Sequence, residues 1–272
     1  MKKKKNNLFW LQVLGLLFGL LWISPFYLMI VNAFKSKREM FEDVLGLPSE
    51  LIFSNFVQAF IDLRFVQSFF NSLLITVVSI TVIVIFSSMA GYALARNKSK
   101  LSGVLLLLFV AAMLIPFQAV MIPLITIFGQ ADMLNRFGLI FMYLGFGSSL
   151  AIFLYHGAMT GLSKSLDEAA TIDGASKFQT FRHIIFPLLK PISVTVGILN
   201  VIWIWNDFLL PSLILSDAES TIPLRMFMFF GQYTRQWHLA LAGLTIAIIP
   251  VIIFYFFAQK QIIKGVSEGA VK

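Results

Sequence analysis

Cysteine is absent from all 272 residues, so no disulfide framework, thiol nucleophile or cysteine-bound metal is available to this chain. Charge is scarce as well. Asp, Glu, Lys and Arg make up 12% of the residues, against roughly 25% in soluble domains, which excludes a water-soluble globule. No GxxxxGK[ST] phosphate loop, HExxH pair or Gly-x-Ser-x-Gly elbow occurs, and His156, His183 and His238 stand far apart. Catalysis by this chain alone is therefore not expected. Hydrogen-bonded or interfacial roles suit His156 and His238 better than ligation, and His183 reads as surface or partner-facing.

What the chain has instead is apolar bulk, 58% of residues, with 29 phenylalanines. This composition predicts an all-α integral membrane protein. The formal charge of +8 is spread in small groups at the ends of apolar runs, which is a topology signal rather than a nucleic-acid groove.

Six spans are expected. Lys2 to Lys5 precede an uncharged run over residues 6–34, too long for the apolar core of a cleaved signal peptide and interrupted by Pro25. Residues 35–64 are mixed in charge and end with Phe56, Val57, Phe60 and Leu63 at helical spacing. They predict an amphipathic surface helix with Ser54 or Asn55 as its cap; a solvated loop is the alternative. Further spans are expected over residues 69–94, 104–128, 137–161, 192–215 and 238–258. Pro116 and Pro123 imply kinks or a break in the third, which must then lie inside a bundle. Gly138, Gly145, Gly147, Ser148 and Ser149 predict close packing for the fourth. Asp132, Asn135 and Arg136 mark the turn before it.

With the N-terminus inside, the inner segments hold fourteen Lys and Arg and the outer segments seven. That two-to-one bias predicts cytoplasmic N- and C-termini.

The long polar interruption at residues 162–191 carries two helix-start patterns, Ser165 with Glu168 and Ser176 with Gln179, separated by Gly174. Helix, left-handed glycine turn, helix is the local expectation. Such short helices are marginal alone and must dock, either back on their own membrane domain or on a partner. Asp207 stands out in the fifth span, after Trp203, Trp205 and Asn206. A carboxylate at bilayer depth costs on the order of 2.5–3.5 kcal/mol. Two readings stay open for it: a translocation path or gate, and a structural hydrogen bond between helices.

Glu168-Ala169-Ala170, Asp173-Gly174-Ala175, Phe181, Ile184, Pro187 and Pro191 resemble the EAA loop of membrane subunits of binding-protein-dependent ABC importers. The likeness is strongest to carbohydrate permeases of the maltose type, the second subunit of the pair. It extends to Asn71-Ser72, to the Trp-Asn-Asp-Phe stretch and to the tail Gly269-Ala270-Val271-Lys272, which lacks the further glycine often seen there. The resemblance implies a single permease domain over 1–272 with a type I (MetI-like) core bundle over 69–260 and a cytoplasmic coupling loop over 162–191. It implies ATPase-coupling roles for Glu168, Ala169, Ala170, Asp173, Gly174 and Ala175, with Ala169 and Ala170 permitting close docking, and a candidate translocation path at Asn206 and Asp207. The implied partners are a homologous second permease, two cytosolic ATP-binding subunits that hold ATP and Mg, and an extracytoplasmic solute-binding protein, in a prokaryotic inner membrane. The segment between spans five and six, with Pro223, Gly231 and Tyr233, reaches that binding protein or forms a surface loop. An ion-coupled secondary transporter is the main rival, and a partner-binding scaffold the second. Such transporters carry several intramembrane ionisable groups and internal repeats, which are not seen here.

Overall fold

In a computed structural model of the protein, residues 2–231 and 235–270 are described, with side chains for 10–231, 235–256 and 259. Tyr233, Val271 and Lys272 lie outside the described residues, as do the side chains of Lys2 to Lys5, Lys260 and Lys264.

The chain is built from helices: α1 (Lys2–Ala33), α2 (Lys37–Glu42), α3 (Ser54–Asp62), α4 (Phe65–Arg96), α5 (Lys100–Ala112), α6 (Phe117–Gln130), α7 (Arg136–Thr160), α8 (Ser165–Ile172), α9 (Lys177–Thr180), α10 (Phe186–Leu188), α11 (Lys190–Asn206), α12 (Leu209–Ile214), α13 (Ile222–Met226) and α14 (Trp237–Ala270). Among the described residues there is no sheet, only an isolated bridge between Phe230 and Arg235. Among the described residues, four helices are long and apolar enough to cross a membrane by themselves: α1, α4, α7 and α14. Two bent pairs, α5 with α6 at 103° and residues 177–188 with α11 at 75°, raise the count to six. Helices are the natural solution here, because they satisfy every backbone polar group within the segment.

The chain divides into two compact units, residues 1–66 with 225–253, and residues 67–224 with 254–272. In the first, α1 continues through Pro25, and the chain after it is tied by a polar knot. Lys35 is fully buried and its Nζ donates to the Asp43 carbonyl at 2.6 Å. The Asn55 amide donates to the carbonyls of Ala33 and Lys35, both at 2.9 Å. The expected amphipathic helix is present as α3, but neither Ser54 nor Asn55 caps it. Asn55 is already inside the first turn, and its side chain is committed to carbonyls twenty or more residues earlier.

The second unit has its core where α4, α7, α11 and α12 meet, around Ile75, Ile83, Tyr143, Ala151, Tyr155, Val196 and Ile204. One face of α4 is a seam of small residues: Ser68, Ser72, Thr76, Ser79, Ser87, Ser88, Gly91 and Ala95 are all buried. Together with Ile83, spacings of three and four place them on one stripe, with Ser87 and Ser88 side by side, and small side chains let backbones approach. At Gly91 the backbones of α4 and α7 come close, since a Cβ there would sit 2.7 Å from Tyr155 Cβ and 3.2 Å from the His156 nitrogen. On α7, Gly138, Gly147 and Ser149 are buried as expected, whereas Gly145 is exposed and Ser148 half-buried.

The third expected span is two helices. α5 ends at Ala112 and α6 begins after Pro116, whose fixed φ and missing N–H suit a helix start and not a helix interior. Pro123 lies inside α6 without ending it. The turn before α7 forms where Asp132 and Asn135 mark it; Asn135 Oδ1 accepts from the amides of Phe137 and Gly138 at 3.0 and 3.1 Å. The fifth expected span stops early. α11 ends at Asn206, Asp207 is extended (φ −69°, ψ 130°), and α12 starts afresh at Leu209.

Candidate functional site: the loop between α7 and α11 and the break after α11

The polar loop folds as helix, turn, helix. α8 closes with two backbone bonds around Gly174: Ala175 N–H to the Ala170 carbonyl at 2.9 Å, and Gly174 N–H to the Thr171 carbonyl at 3.1 Å. This is a Schellman motif, and it requires the left-handed φ of +82° that Gly174 adopts. α9 opens with the expected reciprocal box, Gln179 N–H to Ser176 Oγ at 3.3 Å and Ser176 N–H to Gln179 Oε1 at 2.8 Å.

The corresponding box at Ser165 and Glu168 does not form. Ser163 Oγ accepts from the Ser165 amide at 3.2 Å, and Lys164 already has helical dihedrals. The turn therefore starts two residues early, and Ser165 is inside the helix instead of capping it. Beyond α9 the chain takes one π turn over Phe181–Ile185, just before Pro187, which has no N–H to give to a regular ladder.

α8 is held from the side by the end of α4. Arg96 Nη2 pairs with Asp167 Oδ2 at 2.8 Å, the two side chains being 15% and 22% exposed. Asp167 Oδ1 accepts from the Tyr92 hydroxyl. The same guanidinium donates to the carbonyls of Leu162 at 3.1 Å and Ser163 at 3.4 Å, and reaches that of Met159 in the last turn of α7 at 3.5 Å. A cation is well placed there, because the end of a helix leaves carbonyls unpaired and partly negative. The Tyr92 ring lies against Phe181, with centroids 5.5 Å apart. Tyr92, Arg96, Asp167, Glu168, Lys177 and Phe181 are among the side chains lining an 840 Å³ cavity between α4 and the loop.

Of the six loop residues singled out in the sequence, Glu168, Ala169, Asp173 and Gly174 are exposed and Ala175 is half-buried. Ala170 is 3% exposed, covered by its own chain, so it offers no docking surface. Ile172, beside it, is 86% exposed. Tyr92, Arg96 and Asp167 were not legible as a group, since more than sixty positions separate Arg96 from Asp167 and no local pattern links them.

At the break after α11, Asp207 Oδ2 accepts from the Tyr143 hydroxyl at 2.9 Å, and Oδ1 from the Leu209 amide at 3.0 Å. Tyr143 is fully buried on α7 and meets Trp203 edge-on, centroids 5.3 Å apart. The carboxylate thus ties α7 to α11 and opens α12. Asn206 is exposed, and its amide donates back to the Ile202 carbonyl at 2.8 Å. Among the described residues, no cluster of three His, Asp or Glu side chains could hold a metal.

Comparison with known proteins places this architecture. Residues 83–268 match the family described as binding-protein-dependent transport system inner membrane component. The chain belongs to that family. The permease is 53% identical, over the full length of both chains, to the probable starch degradation products transport system permease protein AmyC of Thermoanaerobacterium thermosulfurigenes. It is 37% identical, over 100% of its own length and 99% of the other, to the multiple sugar-binding transport system permease protein MsmG of Streptococcus mutans. A crystal structure of a bacterial ABC transporter involved in the import of the acidic polysaccharide alginate contains a chain that superposes with a TM-score of 0.75. The two are 25% identical, over 92% of the permease and 94% of that chain. The protein is thus a multi-pass membrane permease of an ABC importer, and ATP hydrolysis resides in a separate subunit.

Proposed function

We propose that this permease imports an oligosaccharide, and that the loop over residues 162–191 couples it to ATP hydrolysis. The solute class rests on the printed names of the relatives, which specify starch degradation products, multiple sugars, and melibiose, raffinose and stachyose. The charge bias puts the loop and both termini in the cytoplasm. There the loop meets one of two ATP-binding subunits that carry ATP and Mg, while a homologous permease completes the pathway and an external binding protein delivers solute.

One observation carries the coupling reading. α8 is an eight-residue helix closed by a left-handed glycine, held on one side by its own chain, with Glu168, Ala169 and Ile172 uncovered on another. A short rigid helix with an exposed small residue and an exposed apolar end fits a cleft on a partner. Closure of the ATPases would then move α8 as a body, and α7 and α11, to which the loop is joined, would follow into an alternating-access cycle. Asn206, exposed at the break after α11, is the side chain this reading assigns to the path, and Asp207 fixes the break beside it.

The test is a pull-down of the tagged permease from gently solubilised membranes, comparing wild type with a Glu168→Lys, Gly174→Val double mutant. Recovery of an ATPase and a second permease with wild type, and loss of the ATPase with the mutant, is the expected result. Recovery of the wild-type chain alone, under conditions that keep other complexes intact, overturns the reading.

A further inference from the structure

We propose that Tyr92 and Arg96 are positioning residues that set the angle of α8, making α4 a third transmission element beside α7 and α11. The proposal rests on the coupling reading above.

α8 has eight residues, too few to hold itself. Its two ends are short connections: residues 161–164 follow the last turn of α7, and Gly174 turns the chain into α9. A rod between two such joints can pivot about the line joining them. What stops the pivot is Asp167, gripped on one carboxylate oxygen by Arg96 and on the other by Tyr92. The grip is two-pronged, so it fixes rotation as well as distance. Arg96 also holds the carbonyls of Leu162 and Ser163, which locks the first joint to the same anchor.

α4 is equally committed at its other end. Gln67 and Asn71 both donate to the Ala218 carbonyl, at 2.9 and 3.1 Å, Asn71 also donates to that of Ser220 at 3.1 Å, and Ser72 Oγ accepts from the Ile222 amide at 2.9 Å. A displacement of α8 is thereby delivered along roughly 38 Å of helix, at about 1.5 Å per residue, to the segment 218–222. That segment lies on the opposite side of the membrane in the proposed topology. A continuous helix clamped at both ends is a physical connection between two sites, and its claim stands on measured coupling.

Because the natural chain has no cysteine, two spin labels can be placed in it cleanly, at Lys98 and Thr171, both exposed and outside the docking face. Pulsed electron-spin distances would be read on the purified complex in lipid nanodiscs, without nucleotide and after trapping with ATP and vanadate. Wild type should give one narrow distribution with the same mean in both states, because the clamp makes α8 and the end of α4 move together. Arg96→Ala should broaden the distribution at least twofold and let its mean shift on trapping, because α8 then moves without α4. Arg96→Lys, which keeps the cation and loses the fork, should fall between. Tyr92→Phe removes a single hydroxyl, keeps the ring packing, and should broaden the distribution by less than Arg96→Ala. A purely structural role predicts lower melting temperatures with the wild-type width retained. An Arg96→Ala distribution as narrow as wild type overturns the proposal. The label pair lies within this chain, so if no ATPase co-purifies with wild type, the coupling reading falls while the nucleotide-free width still decides the latch.

Discussion

Gly174 is the position where backbone conformation alone sets the outcome of a substitution. Its φ is +82°, and a Cβ built on it meets nothing within 4 Å. Steric exclusion by neighbours therefore contributes nothing, and the whole effect comes from forcing an L-residue into the left-handed region. For alanine that costs about 1–2 kcal/mol; asparagine, which tolerates this region, should cost a fraction of that. Valine, β-branched, should exceed alanine. One to two kcal/mol changes the closed-to-open ratio of the turn by about 5- to 30-fold. The two amides that report it are those of residues 174 and 175, which donate to Thr171 and Ala170. Hydrogen–deuterium exchange of a peptide covering them, read by mass spectrometry on the detergent-solubilised permease, should accelerate by that factor in Gly174→Ala, more in Gly174→Val and little in Gly174→Asn. Equal acceleration in the alanine and asparagine variants would refute the reasoning, because it would mean that the left-handed conformation is not what closes the turn.

Two further outcomes follow from the polar anchors. Tyr143→Phe leaves Asp207 Oδ2 without its protein donor and should destabilise the permease by about 1–3 kcal/mol, visible as a lower melting temperature in detergent, whereas Asp207→Asn should melt closer to wild type because an amide can still pair with the hydroxyl. Near the α2 segment, the Glu39 carboxylate accepts from the Ser49 amide at 2.6 Å, and this bond holds its pKa below the usual 4.5. A depressed folded pKa means the stabilisation is complete above the ordinary value and is lost as pH falls through the lowered one. A spin label at Leu47 should thus become more mobile on acidification below 4.5 in wild type, and should show no such transition in Glu39→Gln.

Legibility followed sequence distance. Gly174 and the Ser176–Gln179 box could be read because every bond involved spans five residues or fewer. The Ser165 box failed for an equally local reason: Ser163, two positions upstream, captured the Ser165 amide first. The spans and the proline break were legible from composition and from the missing N–H of Pro116. The stripe of serines on α4 stands at helical spacing too, but serine occurs on exposed and buried helix faces alike, so it is a weaker signal than the glycines of α7. The Arg96 and Asp167 pair could not have been read, since in the sequence Arg96 is one basic residue among three in a short loop. Only the fold gives it a carboxylate.

These anchors share a logic that bears on how the permease can move. In an apolar medium a helix end leaves carbonyls that water does not reach, so a break is tolerated where some other side chain satisfies it. Arg96 serves the end of α7; at the end of α11 the Asn206 amide takes the Ile202 carbonyl, and Asp207 stitches the break to Tyr143 of α7. The break at Gly174 is different. Its carbonyls are paired by its own turn, and nothing else lies within 4 Å of where its Cβ would be. A break stitched to a neighbouring helix resists opening, while one closed only upon itself can change angle without losing a partner. The chain thus places its stiff joints among the spans and its free joint between α8 and α9, which is where a helix driven from outside the membrane must turn.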